Sequence, residues 1–183
     1  MLGDFIMSKL NQIDKAAESK GSLLVTIWQF VKFIVVSLLA MIVQFVLLNT
    51  LNLIPAIKDL YNQDFAWWVF IYPVAVGGLG YFIVSNVANI IAQIVAFFVN
   101  KEKTFNSGAN VAVTLPIYII FTIALIFFSA WLNPTLKEVF VGWNLNETAA
   151  KNIATMICSA VQFFLYFPVD KILFHKKKEE KAE

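Results

Sequence analysis

Arginine is absent: all 14 basic side chains of this 183-residue chain are lysine. That bias hints at an AT-rich bacterial genome. Cysteine and histidine are nearly absent as well. Cys158 stands alone in an apolar run, so it cannot close an intrachain disulfide, and no CxxC pair offers a redox or zinc motif. His175 lies in a charged tail, where it reads as a solvated side chain and not as a metal ligand. The chain has no Walker-type glycine loop, no GxGxxG, no Ser/His/Asp set and no metal-ligand cluster. It is therefore read as a non-enzyme that uses no cofactor and no metal. Charge is scarce overall, at 14% of residues, where a soluble domain carries about 25%. A net charge of +2 is too small to point to nucleic acid.

What fills the chain instead is apolar. Hydrophobic residues make up 60%, with 18 Phe and 5 Trp, and they come in blocks. Blocks of about 20 residues span a bilayer core, so the expected fold class is an all-α integral membrane protein. Four transmembrane helices are expected at about 28–51, 79–99, 111–132 and 149–169. Residues 1–27 mix Lys9, Lys15 and Lys20 with Asp4, Asp14 and Glu18. With no cleavage site behind a short apolar core, they read as a cytoplasmic arm ended by Gly21 and not as a signal peptide. Residues 175–183 read as a charged cytoplasmic tail.

The second block is uncharged from Phe65 to Asn100, about 54 Å as helix, too long for one crossing. Its "FAWWVFIYPVAVGGLG" predicts an aromatic interfacial segment at 65–72 and a break at 73–80, or else a re-entrant hairpin. "NPTLKEVFVGWNLNETAAK" predicts a polar loop holding Pro134, Gly142 and the sequon Asn146-Glu147-Thr148.

Lysine placement orients the chain. Eleven lysines fall on the side of the termini and the 100–110 loop: Lys9, Lys15, Lys20, Lys32, Lys101, Lys103, Lys171, Lys176, Lys177, Lys178 and Lys181. Three fall on the other: Lys58, Lys137 and Lys151. Both termini are expected in the cytoplasm.

Polar residues recur within the spans at helical spacing. Asn86, Asn89 and Gln93 sit at i, i+3 and i+7, with Asn100 two turns on. Thr114, Tyr118 and Thr122 mark span three, and Asn152, Thr155, Ser159, Gln162 and Tyr166 mark span four. Ser37 and Gln44 mark span one. One reading is ordinary packing, since small and polar residues hold membrane helices together at roughly 1 kcal/mol or less each. The other is a polar groove: three amides on one face exceed what one interface uses. Amides suit sugar hydroxyls, and Lys101 and Lys103 at the end of the stripe suit a phosphate. No carboxylate is expected inside a span, Asp170 being placed at a cytoplasmic end. That argues against a proton-coupled exporter.

The segment closing span two, Phe98-Val99-Asn100-Lys101-Glu102-Lys103-Thr104-Phe105, resembles the corresponding signature of the GtrA-like family of small four-span membrane proteins. "FIVVS" (Phe33 to Ser37) and "FPVDKILF" (Phe167 to Phe174) resemble two weaker family motifs, with Ser37 where glycine is usual. The resemblance implies flipping of a polyprenyl-phosphate-linked sugar for cell-surface polysaccharide or teichoic-acid glycosylation, in the bacterial cytoplasmic (plasma) membrane. Asn86, Asn89, Gln93, Gln44 and Gln162 would shelter the sugar. Asn100, Lys101, Lys103 and Lys171 would gather the phosphate at the cytoplasmic mouth. A homodimer, or a complex with a membrane glycosyltransferase, is expected because four helices are few to enclose a path. "FFVNKEKTF" and "YFPVDKILF" also look alike, which suggests a parallel two-helix repeat. A small multidrug-type exporter and a non-transporting membrane partner of a glycosyltransferase are the alternative readings.

Overall fold

A computed structural model of the chain describes residues 2–51 and 53–175. Helix α1 (Leu2–Ser19) ends before Gly21, whose φ of 105° turns the chain into α2 (Ser22–Leu51). A short helix α3 (Pro55–Lys58) and a 3-10 turn (Asp59–Asn62) lead to a β-hairpin, β1 (Phe65–Trp67) and β2 (Phe70–Tyr72). Helices α4 (Gly78–Val99), α5 (Val111–Gly142) and α6 (Glu147–Leu173) follow, with a π turn (Asn100–Thr104) closing α4. Among the described residues, four helices are long and apolar enough to cross a membrane: α2, α4 with its π turn, α5 and α6. The chain is an all-α multi-pass membrane protein, its one strand pair confined to the small hairpin. Lys176, Lys177, Lys178 and Lys181, which weigh in the orientation, lie outside the described residues.

Side-chain distribution fits lipid as the solvent. Leu38, Met41, Ile42, Phe45, Ile120 and Phe164 are all more than half exposed. Ala88, Ala92, Ala150 and Ala154 are fully buried. Without a hydrophobic drive between helices in lipid, close approach through small residues takes over. Val84, Ala88, Ala92 and Ala96 recur every four residues along α4, and Ala92 and Ala96 pack with Val36 and Ala40 of α2. Helices α5 and α6 form the second pair, an antiparallel hairpin. Asn146 caps α6 by accepting from the Ala149 N–H at 2.9 Å, which gives the sequon asparagine a structural role.

Three stretches differ from the expectation. The supposed loop after Leu132 is helical to Gly142, straight through Pro134. In lipid a helix is the conformation that keeps backbone groups paired. Here Thr135 Oγ1 also donates to the Trp131 carbonyl at 2.8 Å, beside the Ala130 carbonyl that Pro134 cannot serve. The aromatic stretch 65–72 is a β-hairpin. Phe65 and Phe70 pack on Phe82 of α4, and Phe70 and Trp67 on Phe127 of α5. Trp68 takes the tight turn at φ 51° and, with Trp67 and Ile71, stays exposed. Finally, α1 is docked. Its Asp14 accepts from Trp28 Nε1 at 2.6 Å and from Lys32 Nζ at 2.8 Å, so Lys32 finds an ion-pair partner.

The break before α4 depends on glycine. Gly78 has φ 55°, and a Cβ there would run into the Gln63 carbonyl. Its neighbour Leu79 donates to that same carbonyl at 2.8 Å. Gly78→Ala should therefore lower stability by about 1–3 kcal/mol, read as a lower midpoint when thermal unfolding in detergent is followed by tryptophan fluorescence. Gly142→Ala, with open space around its Cβ, should leave the midpoint unchanged or slightly higher.

Candidate functional site

Helix α2 packs along α4, and α5 along α6, but α2 and α6 meet mainly at one end. There Phe30 and Phe33 engage Phe163 and Phe167 with ring centroids 5.0–5.6 Å apart. Lys171 Nζ donates to Thr26 Oγ1 at 2.6 Å, so the start of α2 and the end of α6 share a side. Beyond these rings the two helices separate. The gap is a cavity of about 160 Å³. Ser37, Met41 and Gln44 of α2 line it, with Gln93, Ala96 and Asn100 from the α4 side, Tyr118 of α5, and Ser159, Gln162 and Tyr166 of α6. Met41 and Ser159 are exposed, so the cavity opens sideways between α2 and α6.

Much of the hydrogen-bonding capacity in its wall is unspent. Gln93 Oε1 accepts from the Tyr118 hydroxyl at 3.0 Å, leaving its amide N–H groups without a protein partner among the described residues. Gln162 Nε2 donates to Ser129 Oγ, leaving its carbonyl oxygen available. Gln44 and Ser159 make no side-chain hydrogen bond within the described residues. Four polar groups aimed into one gap between apolar helices are what a hydroxyl-rich guest would require.

At the ring-closed end lies a group whose burial the sequence reading did not foresee. Asp170 does sit near the end of α6, where it was expected, but it faces inward and is fully buried. Its Oδ2 accepts from Asn100 Nδ2 at 2.7 Å, and Asn100 Oδ1 in turn accepts from Thr104 Oγ1 at 2.9 Å. Oδ1 of Asp170 has no partner. Tyr118 and Tyr166, their rings 5.5 Å apart, line the cavity beside Asn100. Tyr166 donates to Thr122 Oγ1 at 3.0 Å, and Thr122 to the Tyr118 carbonyl at 2.9 Å. Phe97, Phe105 and Phe174 pack beside the network, with Phe174 within 5.1 Å of Phe97 and 5.7 Å of Phe105.

The two similar span ends thus meet each other. Phe105 N–H donates to the Asn100 carbonyl, five residues back, and Phe174 N–H to the Asp170 carbonyl, four back, both at 2.9 Å. The π turn inserts one residue into an otherwise matching arrangement. That match between Asn100 and Asp170 is the sequence signal that could have identified Asp170.

Of the expected sugar-groove residues, Gln93, Gln44 and Gln162 share the cavity wall. Asn86 and Asn89 continue the Gln93 face about 10 and 6 Å further along α4, outside the lining. Asn86 is occupied with its own Phe82 carbonyl at 2.7 Å. The expected phosphate cluster is not assembled. Asn100 alone lines the cavity. Lys101 is buried against the following loop, its Nζ 3.0 Å from the Ser107 carbonyl and 3.4 Å from Glu102 Oε1. Lys103 is exposed elsewhere on the turn, and Lys171 is exposed and bound to Thr26. The wide π turn directs Asn100 inward and Lys101 onto the loop, so the cavity has no mouth beside the lysine pair.

Among the described residues no group of His, Cys, Asp or Glu could hold a metal. Comparison with protein-family models, with curated proteins and with solved structures finds no match. The cleft, the network below it and the resemblance of the segment that closes α4 therefore carry the functional reading.

Removing the Asn100 amide would leave the buried Asp170 with neither oxygen satisfied. Asn100→Ala should cost about 1–3 kcal/mol. Replacing both partners by apolar side chains, in Asn100→Leu with Asp170→Leu, should recover most of that loss. Unfolding midpoints of the single and double variants in detergent measure both effects.

Proposed function

We propose that this protein moves the headgroup of a polyprenyl-phosphate-linked sugar across the bilayer, in the service of cell-surface polysaccharide or teichoic-acid glycosylation. The observation that carries the reading is the sideways-open cavity whose wall holds the amides of Gln44, Gln93 and Gln162 and the Ser159 hydroxyl. A sugar crossing bare hydrocarbon gives up many hydrogen bonds, each costing several kcal/mol. A cleft between α2 and α6 returns some of them while the polyprenyl tail stays in lipid outside the gap.

The phosphate keeps to the rim and the headgroup zone in this scheme, because no cationic side chain lines the cavity. The resemblance at Asn100 to Phe105 points the same way as the cleft. Among the described residues, Lys9, Lys15, Lys20, Lys32, Lys101, Lys103 and Lys171 stand against Lys58, Lys137 and Lys151, a bias that supports a cytoplasmic ring-closed end; the membrane in this reading is the bacterial plasma membrane. A second copy or a membrane glycosyltransferase would complete the wall on the open side.

Proteoliposomes carrying a fluorescent polyprenyl-phosphate sugar test the reading. Headgroups reaching the far leaflet are counted by their exposure to a membrane-impermeant oxidant. Gln93→Leu and Gln162→Leu should each slow the appearance roughly five-fold, the kinetic equivalent of one lost hydrogen bond of about 1 kcal/mol. Folded variants with wild-type rates would remove the cleft from the path.

A further inference from the structure

The Asp170 carboxyl has no part in sheltering a sugar, yet it is the most deeply placed ionisable acid among the described residues. Its surroundings supply no countercharge. Asn100 and Thr104 of the π turn are neutral. The phenols of Tyr118 on α5 and Tyr166 on α6 are the titratable groups its charge reaches. Every nearby lysine is held elsewhere: Lys32, the only charge on α2, by Asp14; Lys101 by the Ser107 carbonyl; Lys171 by Thr26. Phe97, Phe105 and Phe174 exclude water on the remaining side.

An ionised carboxylate enclosed this way, with one oxygen unbonded, has lost hydration that nothing around Oδ1 replaces, which costs free energy. A proton on Oδ1 removes that cost and leaves the Asn100 hydrogen bond to Oδ2 intact. The site is also wired to the cleft: Asn100 is a wall residue of the cavity and the direct partner of Asp170. Ionisable groups inside membrane spans act as proton relays in pumps and transporters.

We propose that Asp170 is a proton-binding site that couples headgroup movement through the cleft to the proton gradient. In the closed arrangement the O–H bond at Oδ1 is formed, with the proton taken from water on one side. When water enters from the cleft past Asn100 and reaches the carboxyl, the bond breaks, the proton leaving to that water. The neutral acid also puts no negative charge beneath the cleft, so proton and anionic head occupy the protein together. This inference rests on the headgroup reading above and adds its driving force.

The test uses the full chain in proteoliposomes with an imposed pH difference and a clamped membrane potential. The readout is the steady-state ratio of labelled headgroups in the two leaflets. With one proton coupled per head, the wild-type ratio should move from unity by up to about ten-fold per pH unit. Asp170→Asn keeps an acceptor for Asn100 Nδ2 and should still redistribute headgroups, but to an even ratio under any gradient. An even ratio in the wild type, reached by evident translocation, overturns the coupling and leaves the headgroup reading standing. No translocation in the wild type overturns the headgroup reading and the coupling with it. An uneven ratio that survives in Asp170→Asn also overturns the assignment to Asp170.

Discussion

A carboxylate enclosed among four lipid-embedded helices is the constraint around which this protein is arranged. Asp170 can be tolerated only if something neutral and correctly oriented bonds it, and the Asn100 amide does so across the α4–α6 junction. Much of the local structure serves that contact. The π turn gives α4 the extra residue that brings Asn100 inward, Thr104 fixes the amide from behind, and the phenyl rings of Phe97, Phe105 and Phe174 keep water out. The lysines that follow each partner in sequence are held by the Ser107 carbonyl and by Thr26. The junction therefore stays polar yet carries no compensating cation.

The cleft follows from how the helices find partners in lipid. Helices α2 and α4 close on alanines, and α5 and α6 are joined by hydroxyl and amide pairs such as Asn133 with Thr155 and Gln162 with Ser129. Between α2 and α6 neither device operates past the phenyl cluster: the facing residues are Met41, Gln44, Ser159 and Gln162. The long side chains of Met41, Gln44 and Gln162 fill space that alanines would leave for close approach. The gap is thus built into the same patterns that stabilise the two helix pairs. The aromatic hairpin covers the start of α4 at the opposite end, which leaves the side between α2 and α6 as the open one.

The four crossings were legible because length and apolarity decide them almost alone. Their ends were not. Pro134 and Gly142 look like loop residues in water, but Leu136, Val139 and Phe140 carry the apolar face onward and the helix persists. The hairpin was hidden because three-residue strands leave no alternation to read. At the site, helical spacing placed Gln93, Gln44, Gln162 and Asn100 around one cavity. It carried Asn86 and Asn89 too far along the same face. The inward lysines and the outward Asp170 of the sequence reading fail for one reason. Neighbours in a helix point about 100° apart, so Asp170 can face the interior while Lys171 faces out. Adjacent charges in a sequence read as an interfacial pair, and only the packing of the π turn reveals which member is inside.

The central claim is that polar space, and not dry packing, separates α2 from α6 above the Asn100–Asp170 junction. Thiol reactivity in membranes tests it most directly, in a Cys158→Ala background that removes the native thiol. A charged, membrane-impermeant thiol reagent should label Gln93→Cys, in the cleft wall, much faster than Ile120→Cys, whose side chain faces outward from α5. Equal, negligible labelling of both positions would mean that the cleft admits no water, and the account of this protein would be wrong.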